Sequence, residues 1–123
     1  MAFKIADTKG SSFFYPVKVP VVLDSGRKKT FTFDMKFKRM SKSAYFEALK
    51  SDDTAADDPV ARDANLILDI AEDWRHVQDE QGADLPFSFE NVYQMINDVP
   101  SAAVAIISTF NVAVLAGGQA EKN

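Results

Sequence analysis

Cysteine is absent from this chain, and histidine occurs once, at His76. The lack of cysteine excludes disulfides and thiolate metal sites, and it fits a reducing cytosol. One histidine does not make a metal site, because such sites need two or more ligands at compatible spacing. The chain also has neither a phosphate-binding glycine loop nor a nucleophile elbow. We therefore expect a protein that is not an enzyme, with no catalytic residue, no bound metal and no cofactor.

Long hydrophobic runs are scarce as well. The longest mainly apolar stretch, residues 102–116, is interrupted by Ser108, Thr109 and Asn111 and is shorter than a membrane-spanning helix. The first residues lack the charged and then apolar pattern of a signal peptide. We accordingly expect no membrane partner.

The length and composition are those of a small globular domain. With 123 residues and 46% hydrophobic composition, the chain can bury one core. We expect a single domain over residues 1–123. Within it, the sequence predicts a loose N-terminal arm at residues 1–12, an acidic loop at 51–58 and a polar tail at 119–123.

Positive charge is concentrated in the first third of the chain and negative charge in the remainder. Residues 1–42 carry ten lysines and arginines against three aspartates, or +7, whereas residues 43–123 carry four against fifteen aspartates and glutamates, or −11. Such a separation favours head-to-tail contact between copies, or capture of a partner of one sign. The alternative is that both parts are solvated faces of one domain.

Two stretches near the N-terminus alternate apolar and polar residues, as half-buried strands do. In residues 13–23, one face carries Tyr15, Val17, Val19 and Val21. Pro16 and Pro20 fall on the opposite face and confine this strand to a sheet edge. After a turn at residues 24–27, residues 29–40 repeat the alternation with Phe31, Phe33, Met35 and Phe37. The chain therefore starts with an antiparallel β-hairpin.

The first of four predicted helices follows the hairpin. Ser41 is a suitable N-cap, and the helix it starts is about ten residues long. We expect this helix to bury Tyr45, Leu49 and Phe46.

The second predicted helix starts at Asp58 and Pro59, which are typical of the N-cap and the first helical position. Its apolar residues recur at spacings of three and four through Trp74 and Val77. Gly82 is then expected to be its C-terminal stop.

The last two helices are separated by Pro100. Ser88 is the predicted N-cap of a helix over residues 89–98, with its hydroxyl accepting from the backbone N–H of Asn91. The final helix, residues 101–116, is apolar on nearly all sides. It either forms the centre of the core or contributes part of an interface. The fold class is thus α+β, an N-terminal antiparallel β-hairpin followed by about four α-helices.

Two groups of residues could suggest a chemical site. For His76 we expect a structural or surface position, because acid–base catalysis needs a partner within hydrogen-bond reach. The acidic loop carries four aspartates, Asp52, Asp53, Asp57 and Asp58. They lack the spacing and the terminal glutamate of a calcium-binding loop, so we expect a solvated linker.

The hairpin is also strongly basic, with Arg27, Lys28, Lys29, Lys36, Lys38, Arg39 and Lys42. A nucleic-acid-binding platform needs aromatic rings and cations exposed on the same face. Here the alternation places Phe31, Phe33 and Phe37 opposite Lys36 and Lys38, which favours a core position for the rings. We therefore expect no nucleic-acid partner, and a basic face that meets the acidic part of a neighbouring copy explains the same residues.

The order of features has a counterpart in a known family. The hairpin, rich in valine and proline, ends in Phe37-Lys38-Arg39-Met40-Ser41, and a helix and the acidic gap follow. The chain then reads Trp74-x-x-Val77-x-Asp79-Glu80-x-Gly82 and Leu85-Pro86-Phe87-Ser88 before the alanine-rich last helix. Over nearly its whole length it resembles the tail assembly chaperones of siphophages, which have long non-contractile tails. It departs from them at Asp73, where the family has a small residue before the tryptophan.

The resemblance implies an α+β, non-enzymatic protein of the host cell cytoplasm. Such a chaperone binds the tape measure protein, keeps its long apolar helices soluble, recruits tail tube subunits and is absent from the mature virion. The resemblance also implies self-association into rings or spirals. Two alternatives remain open: a structural tail completion or terminator protein that stays in the virion, and a small host regulatory or nucleic-acid-binding domain.

Apolar helices and free strand edges are the means by which such a chain can bind partners without chemistry. We therefore expect contacts along the hairpin edge and on the exposed parts of the last helix. The residues concerned are Val17, Val19 and Val21 in the hairpin, and Val104, Ile107, Phe110 and Val114 in the helix.

Overall fold

The computed structural model describes residues 2–5, 12–51 and 57–117. Two strands come first, β1 (Phe13–Val22) and β2 (Lys28–Phe37). They are followed by α1 (Lys42–Ser51), α2 (Pro59–Ile70), β3 (Ala71–Arg75), α3 (Phe89–Asp98) and α4 (Pro100–Phe110), which continues as a π-helical turn (Asn111–Leu115).

The three strands form one antiparallel sheet in the order β1-β2-β3. The core lies on one face of this sheet, where α4 packs on β1, and α2 and α3 complete the helical layer. The predicted α+β class, with an N-terminal hairpin and four α-helices, is confirmed.

The hairpin follows the alternation seen in the sequence. Val17 pairs with Phe33 and Tyr15 with Met35, so the inward residues of both strands lie side by side. Gly26 has a φ of +82° in the connecting turn, a conformation that glycine adopts without steric cost.

β1 lies at the edge of the sheet, as its prolines predict. The N–H of Leu23 donates to the carbonyl of Arg27 at 2.8 Å, so the odd-numbered residues of β1 direct their backbone groups toward β2. The even-numbered residues, including Pro16 and Pro20, therefore face the free edge, where a proline has no N–H to donate. The carbonyl of Pro20 is also occupied, because the Ser101 hydroxyl donates to it at 2.8 Å.

The prediction of a helix through Trp74 and Val77 is wrong. α2 ends at Ile70, and Ala71 is already extended, with φ −139° and ψ 160°. The chain continues as β3, in which Trp74 lies opposite Met35 of β2. The pairing with β2 therefore overrides the helical spacing of the apolar residues.

Gly82 does not end a helix either. It lies in a turn closed by a β-bridge between Gln78 and Asp84, and its φ is +82°. Asp79 stabilises the turn, since its carboxylate accepts from the backbone N–H of Ala83 at 2.9 Å.

The three predicted N-caps are confirmed. The side chains of Ser41, Asp58 and Ser88 each accept from a backbone N–H two or three residues later, at 3.1–3.2 Å. Pro59 follows Asp58 as the first residue of α2. Side chains that accept from the unpaired N–H groups of the first turn fix where each of these helices begins.

α4 is the central helix of the helical layer. Its inward face carries Ala102, Ala103, Ala105, Ile106 and Phe110. The Phe110 ring is fully buried, with its centroid 5.7 Å from that of Phe37 and 5.3 Å from that of Tyr45. The alanines let α4 approach the sheet closely, and Phe110 fills the space at the far end.

α1 buries fewer residues than the sequence predicts. Tyr45 is buried against Phe110, but Phe46 is 54% exposed and Leu49 is exposed as well. The prediction is wrong for these two residues because α1 packs mainly on α2 and covers only one of its own sides.

Most of the predicted arm, acidic loop and tail lies outside the described residues. The undescribed positions are residue 1 and residues 6–11, 52–56 and 118–123.

Candidate protein-binding site

A solvent-open groove of about 350 Å³ lies between the outer half of the hairpin and the junction of α3 with α4. We call it the tip groove. Its lining side chains are all apolar: Val19, Val21, Leu23, Phe31, Phe33, Met95, Val99 and Ala102. A groove of this kind can accept the apolar face of a partner helix.

The tip groove exists because the hairpin extends beyond the elements that pack on it, β3 and the helices. β3 pairs only with residues 34–37 of β2, so the part of the hairpin nearest the turn has no third strand. The helices cover this part incompletely, leaving Leu23 40% and Phe31 45% exposed although both belong to the inward-facing set. Apolar surface that the chain cannot bury itself is available to a partner.

The end of the tip groove nearest the turn carries a basic lip, formed by Arg27 and Lys29, whereas Lys28 pairs with Val22 on the other face of the hairpin. Both lip residues are exposed. Lys29 shares the inward face with Phe31, and its ammonium group lies 4.9 Å from the centre of the Phe31 ring. Within the described ranges, neither lip residue forms an ion pair with a carboxylate.

The hairpin residues expected to make contacts are only partly accessible. Val17 is fully buried and Val19 nearly so, whereas Val21 is half-buried. Val19 and Val21 line the tip groove, so two of the three expected residues belong to it. The side chain of Val17 has no surface left for a partner in this conformation.

The residues of the last helix that were expected to make contacts also differ in their exposure. Val104 is 67% exposed, Ile107 and Val114 are half-buried, and Phe110 is fully buried. Val104 and Ile107 lie three residues apart on α4, and we call them the α4 strip, whereas Val114 lies beyond α4 in the π-helical turn. Phe110 lies in the core and not on this strip.

The sequence did not predict that four of the lining residues are accessible: Leu23, Phe31, Met95 and Val99. The alternation identified Phe31 correctly as inward-facing, but a hairpin pattern does not show how far the helices extend along it. The assumption that the outer half of the hairpin is buried was wrong, and its exposure is visible only in the three-dimensional structure.

His76 lies at the surface. Its Nδ1 is 3.6 Å from the Asp34 carboxylate, which also accepts from Arg75 at 2.9 Å. In the described part of the chain, no three histidine or acidic residues come together as a possible metal site.

One carboxylate and one hydroxyl form a polar contact between α2 and α3. Asp58 accepts from the Tyr93 hydroxyl at 3.0 Å. The pKa of Asp58 is lowered, first by the backbone N–H of Ala61 and further by Tyr93 and the N–H of Val60. These bonds join the start of α2 to α3 and support the helical layer beside the groove.

The outer face of the sheet carries an aromatic ring among cations. The Arg75 guanidinium lies 3.9 Å and the Lys36 ammonium 5.7 Å from the centre of the Phe14 ring. Phe33 and Phe37 are buried on the opposite face, as the alternation predicts. Proteins that bind single-stranded nucleic acid stack successive bases on several aromatic rings, and the Phe14 ring alone does not form such a series.

Among the described helices, none alone has the length and hydropathy of a membrane span. α3 and α4 with its π-helical turn meet the criteria only as a pair, and the pair is bent by 115°.

Comparison with known proteins agrees with the sequence resemblance. The chain matches a family model described as phage tail assembly chaperone over residues 1–122. We found no curated protein and no solved structure that matches the chain. Because the family match covers nearly the whole chain, this protein belongs to the phage tail assembly chaperone family.

Proposed function

We propose that this chaperone acts without catalysis, by holding an apolar helix of the tape measure protein in its tip groove. The observation that carries the proposal is an open groove lined only by apolar side chains in a chain of this family. Long apolar helices expose surface that would aggregate in water, and covering this surface keeps them soluble.

The dimensions of the groove suit such a client. An amphipathic helix presents apolar side chains at spacings of three, four and seven residues on one face. A volume of about 350 Å³ holds a few side chains and not a whole helix, so the helix would lie across the opening. Leu23 and Phe31, exposed on one wall, would contact it first.

The α4 strip supplies a second apolar surface. We propose that it contributes to contacts between copies or with the client, because Val104 is exposed on a helix that is otherwise mostly buried. The free edge of β1 is a weaker candidate, since Pro16 and Pro20 face outward along it.

The proposed role has further parts. We propose that the protein acts in the host cell cytoplasm, recruits tail tube subunits to the covered tape measure protein, forms rings or spirals and leaves before the virion is complete. The charge separation of the sequence supports contact between copies or with charged partners, because opposite surfaces attract at low salt.

Co-expression with the tape measure protein tests the central step. The wild-type chain should render the tape measure protein soluble and co-purify with it. The double variant Leu23→Asp/Phe31→Asp should lose both effects, because two carboxylates would stand in the apolar groove. Val22→Asp is the matched control, since Val22 is 65% exposed and lies on the other face of the hairpin.

The outcomes separate the site from the role. If wild type and Val22→Asp solubilise the tape measure protein while the double variant does not, the groove is the client site. If the double variant remains folded and works as well as wild type, the groove is not the site. If even the wild type leaves the tape measure protein insoluble and instead assembles on purified tail tubes, the protein is a structural tail component. Mass spectrometry of purified particles then checks retention, since a chaperone should be missing from them.

A further inference from the structure

We propose that the tip groove selects an amphipathic helix with acidic residues beside its apolar stripe, so that the carboxylates pair with the basic lip. This inference rests on the proposed function, because it names the chemistry of the client segment that the groove accepts. Apolar contact alone would make the groove indifferent to sequence, whereas charges at its margin add selectivity.

The basic lip has no carboxylate partner of its own among the described residues. Arg27 and Lys29 are exposed cations, and in the described part of the chain no carboxylate pairs with them. Lys36 differs in this respect, because it pairs with Glu72 at 3.4 Å. The lip is therefore a concentration of positive charge that remains available to a partner.

The lip lies directly beside the apolar surface of the groove. Lys29 lies over the Phe31 ring, and Arg27 is joined to Leu23 by a backbone hydrogen bond of 2.8 Å. Both Phe31 and Leu23 line the groove, so a side chain that contacts them also lies near a cation. A helix with leucine-like residues and glutamates on adjacent positions satisfies both contacts together.

A second copy fits the groove less well. The exposed apolar pair Phe46 and Leu49 on α1 has a suitable spacing, but the helix carries Lys42 and Lys50 against Glu47 alone. Two lysines would face a basic lip, and like charges at close range disfavour the contact.

The test uses three synthetic helical peptides with the same leucine stripe. Their flanking positions are glutamate, glutamine or lysine, and binding to the full-length chain is measured by fluorescence anisotropy. We expect the glutamate peptide to bind about tenfold more tightly than the lysine peptide. The preference should shrink as salt rises from about 0.05 to about 0.5 M. Reversal of the lip in Arg27→Glu/Lys29→Glu should invert the preference, whereas Lys28→Glu, on the other face of the hairpin, should not.

Each outcome has a distinct meaning. If all three peptides bind equally and Leu23→Asp abolishes binding, the groove holds helices but the lip does not select them, and the inference is overturned. If no peptide binds, or if Leu23→Asp has no effect, the proposed client site itself fails. Polyglutamate without leucines is the remaining control, because equal binding of that probe would show a general polyanion site. Sedimentation of wild type and lip variant completes the set, since loss of self-association on lip reversal, with equal peptide binding, would assign the lip to a second copy.

Discussion

Phe110 was expected to contribute to a binding surface, and the structure places it in the core, so its truncation is a sharp test. The side chain is fully buried, and truncation of a buried phenylalanine to alanine costs about 3–5 kcal/mol. Its ring also contacts Phe37 and Tyr45, and each aromatic pair adds about 0.5–1.5 kcal/mol beyond burial. Measured losses for phenylalanine truncation already include such ring contacts, so the two pairs place the expected loss for Phe110→Ala in the upper part of the range, at about 4–5 kcal/mol.

Phe46 is the matched control. It is also a phenylalanine whose ring contacts Tyr45, at 5.9 Å between centroids, but it is 54% exposed. Phe46→Ala should change the free energy of unfolding by less than about 1 kcal/mol, because surface substitutions have small effects. The two residues share their type and the neighbour Tyr45, and they differ in burial and in the additional contact of Phe110 with Phe37.

Urea denaturation followed by fluorescence is a suitable assay, since Trp74 is the only tryptophan and is buried. With a slope of about 2 kcal/mol per M, a loss of about 4 kcal/mol moves the midpoint by about 2 M. Phe110→Leu serves if the alanine variant is unfolded at zero urea, with an expected loss of about 1–2 kcal/mol. A midpoint for Phe110→Ala that coincides with that of Phe46→Ala would refute the core assignment and return Phe110 to the candidate surfaces.

Three further predictions concern single contacts. Tyr93→Phe should raise the pKa of Asp58 toward its ordinary value, because the hydroxyl bond is lost while the bonds from the backbone of α2 remain; a carboxyl NMR titration measures this. Since the pKa of Asp58 is lowered in the folded state, its stabilising effect is lost as pH falls through the folded pKa, and the variant should lose it at a higher pH. Trp74→Phe should cost about 1–3 kcal/mol in thermal unfolding followed by circular dichroism, because the indole N–H no longer donates to the carbonyl of Leu85 at 2.8 Å. His76→Gly should raise the free energy of unfolding by about 0.5–1 kcal/mol in the urea assay, because His76 has a φ of +70°; a loss of stability would mean that its contact with Asp34 matters more than the backbone.

Local patterns in the sequence were sufficient to predict the hairpin and the residues at which the helices begin. The alternation of Val17 and Phe33 with polar neighbours reflects a strand with one buried face, and this period depends on the strand alone. The caps Ser41, Asp58 and Ser88 act on N–H groups within three residues, so no distant part of the fold affects them.

β3 could not be found in this way because its buried residues imitate a helix. Its pairing with β2 is shifted between Lys36 and Phe37, and the buried residues of β3 are Ala71 and Trp74, three positions apart. A regular strand would bury every second residue, whereas a spacing of three is typical of helices. The irregularity belongs to a pair of strands, and a single stretch of sequence does not contain it.

The candidate site was only partly predictable, because part of it depends on contacts between distant segments of the chain. Val19 and Val21 lie on its wall, and their strand alone led to the prediction that they make contacts. The accessibility of Leu23 and Phe31 depends on where α3 and α4 stop relative to the hairpin, and that is set by the packing of the whole helical layer.

The part of the hairpin that extends beyond β3 has open strand edges, and these bear on the proposed role among aggregating chains. A strand pair with two open edges is a template on which other extended segments can add. Here one edge presents Pro16 and Pro20, and the other begins at Lys28, so proline and positive charge oppose such growth on either side. If copies crowd around an insoluble client, as proposed above, they can touch through side chains while their sheets stay separate, so that aggregation does not start from their own strands.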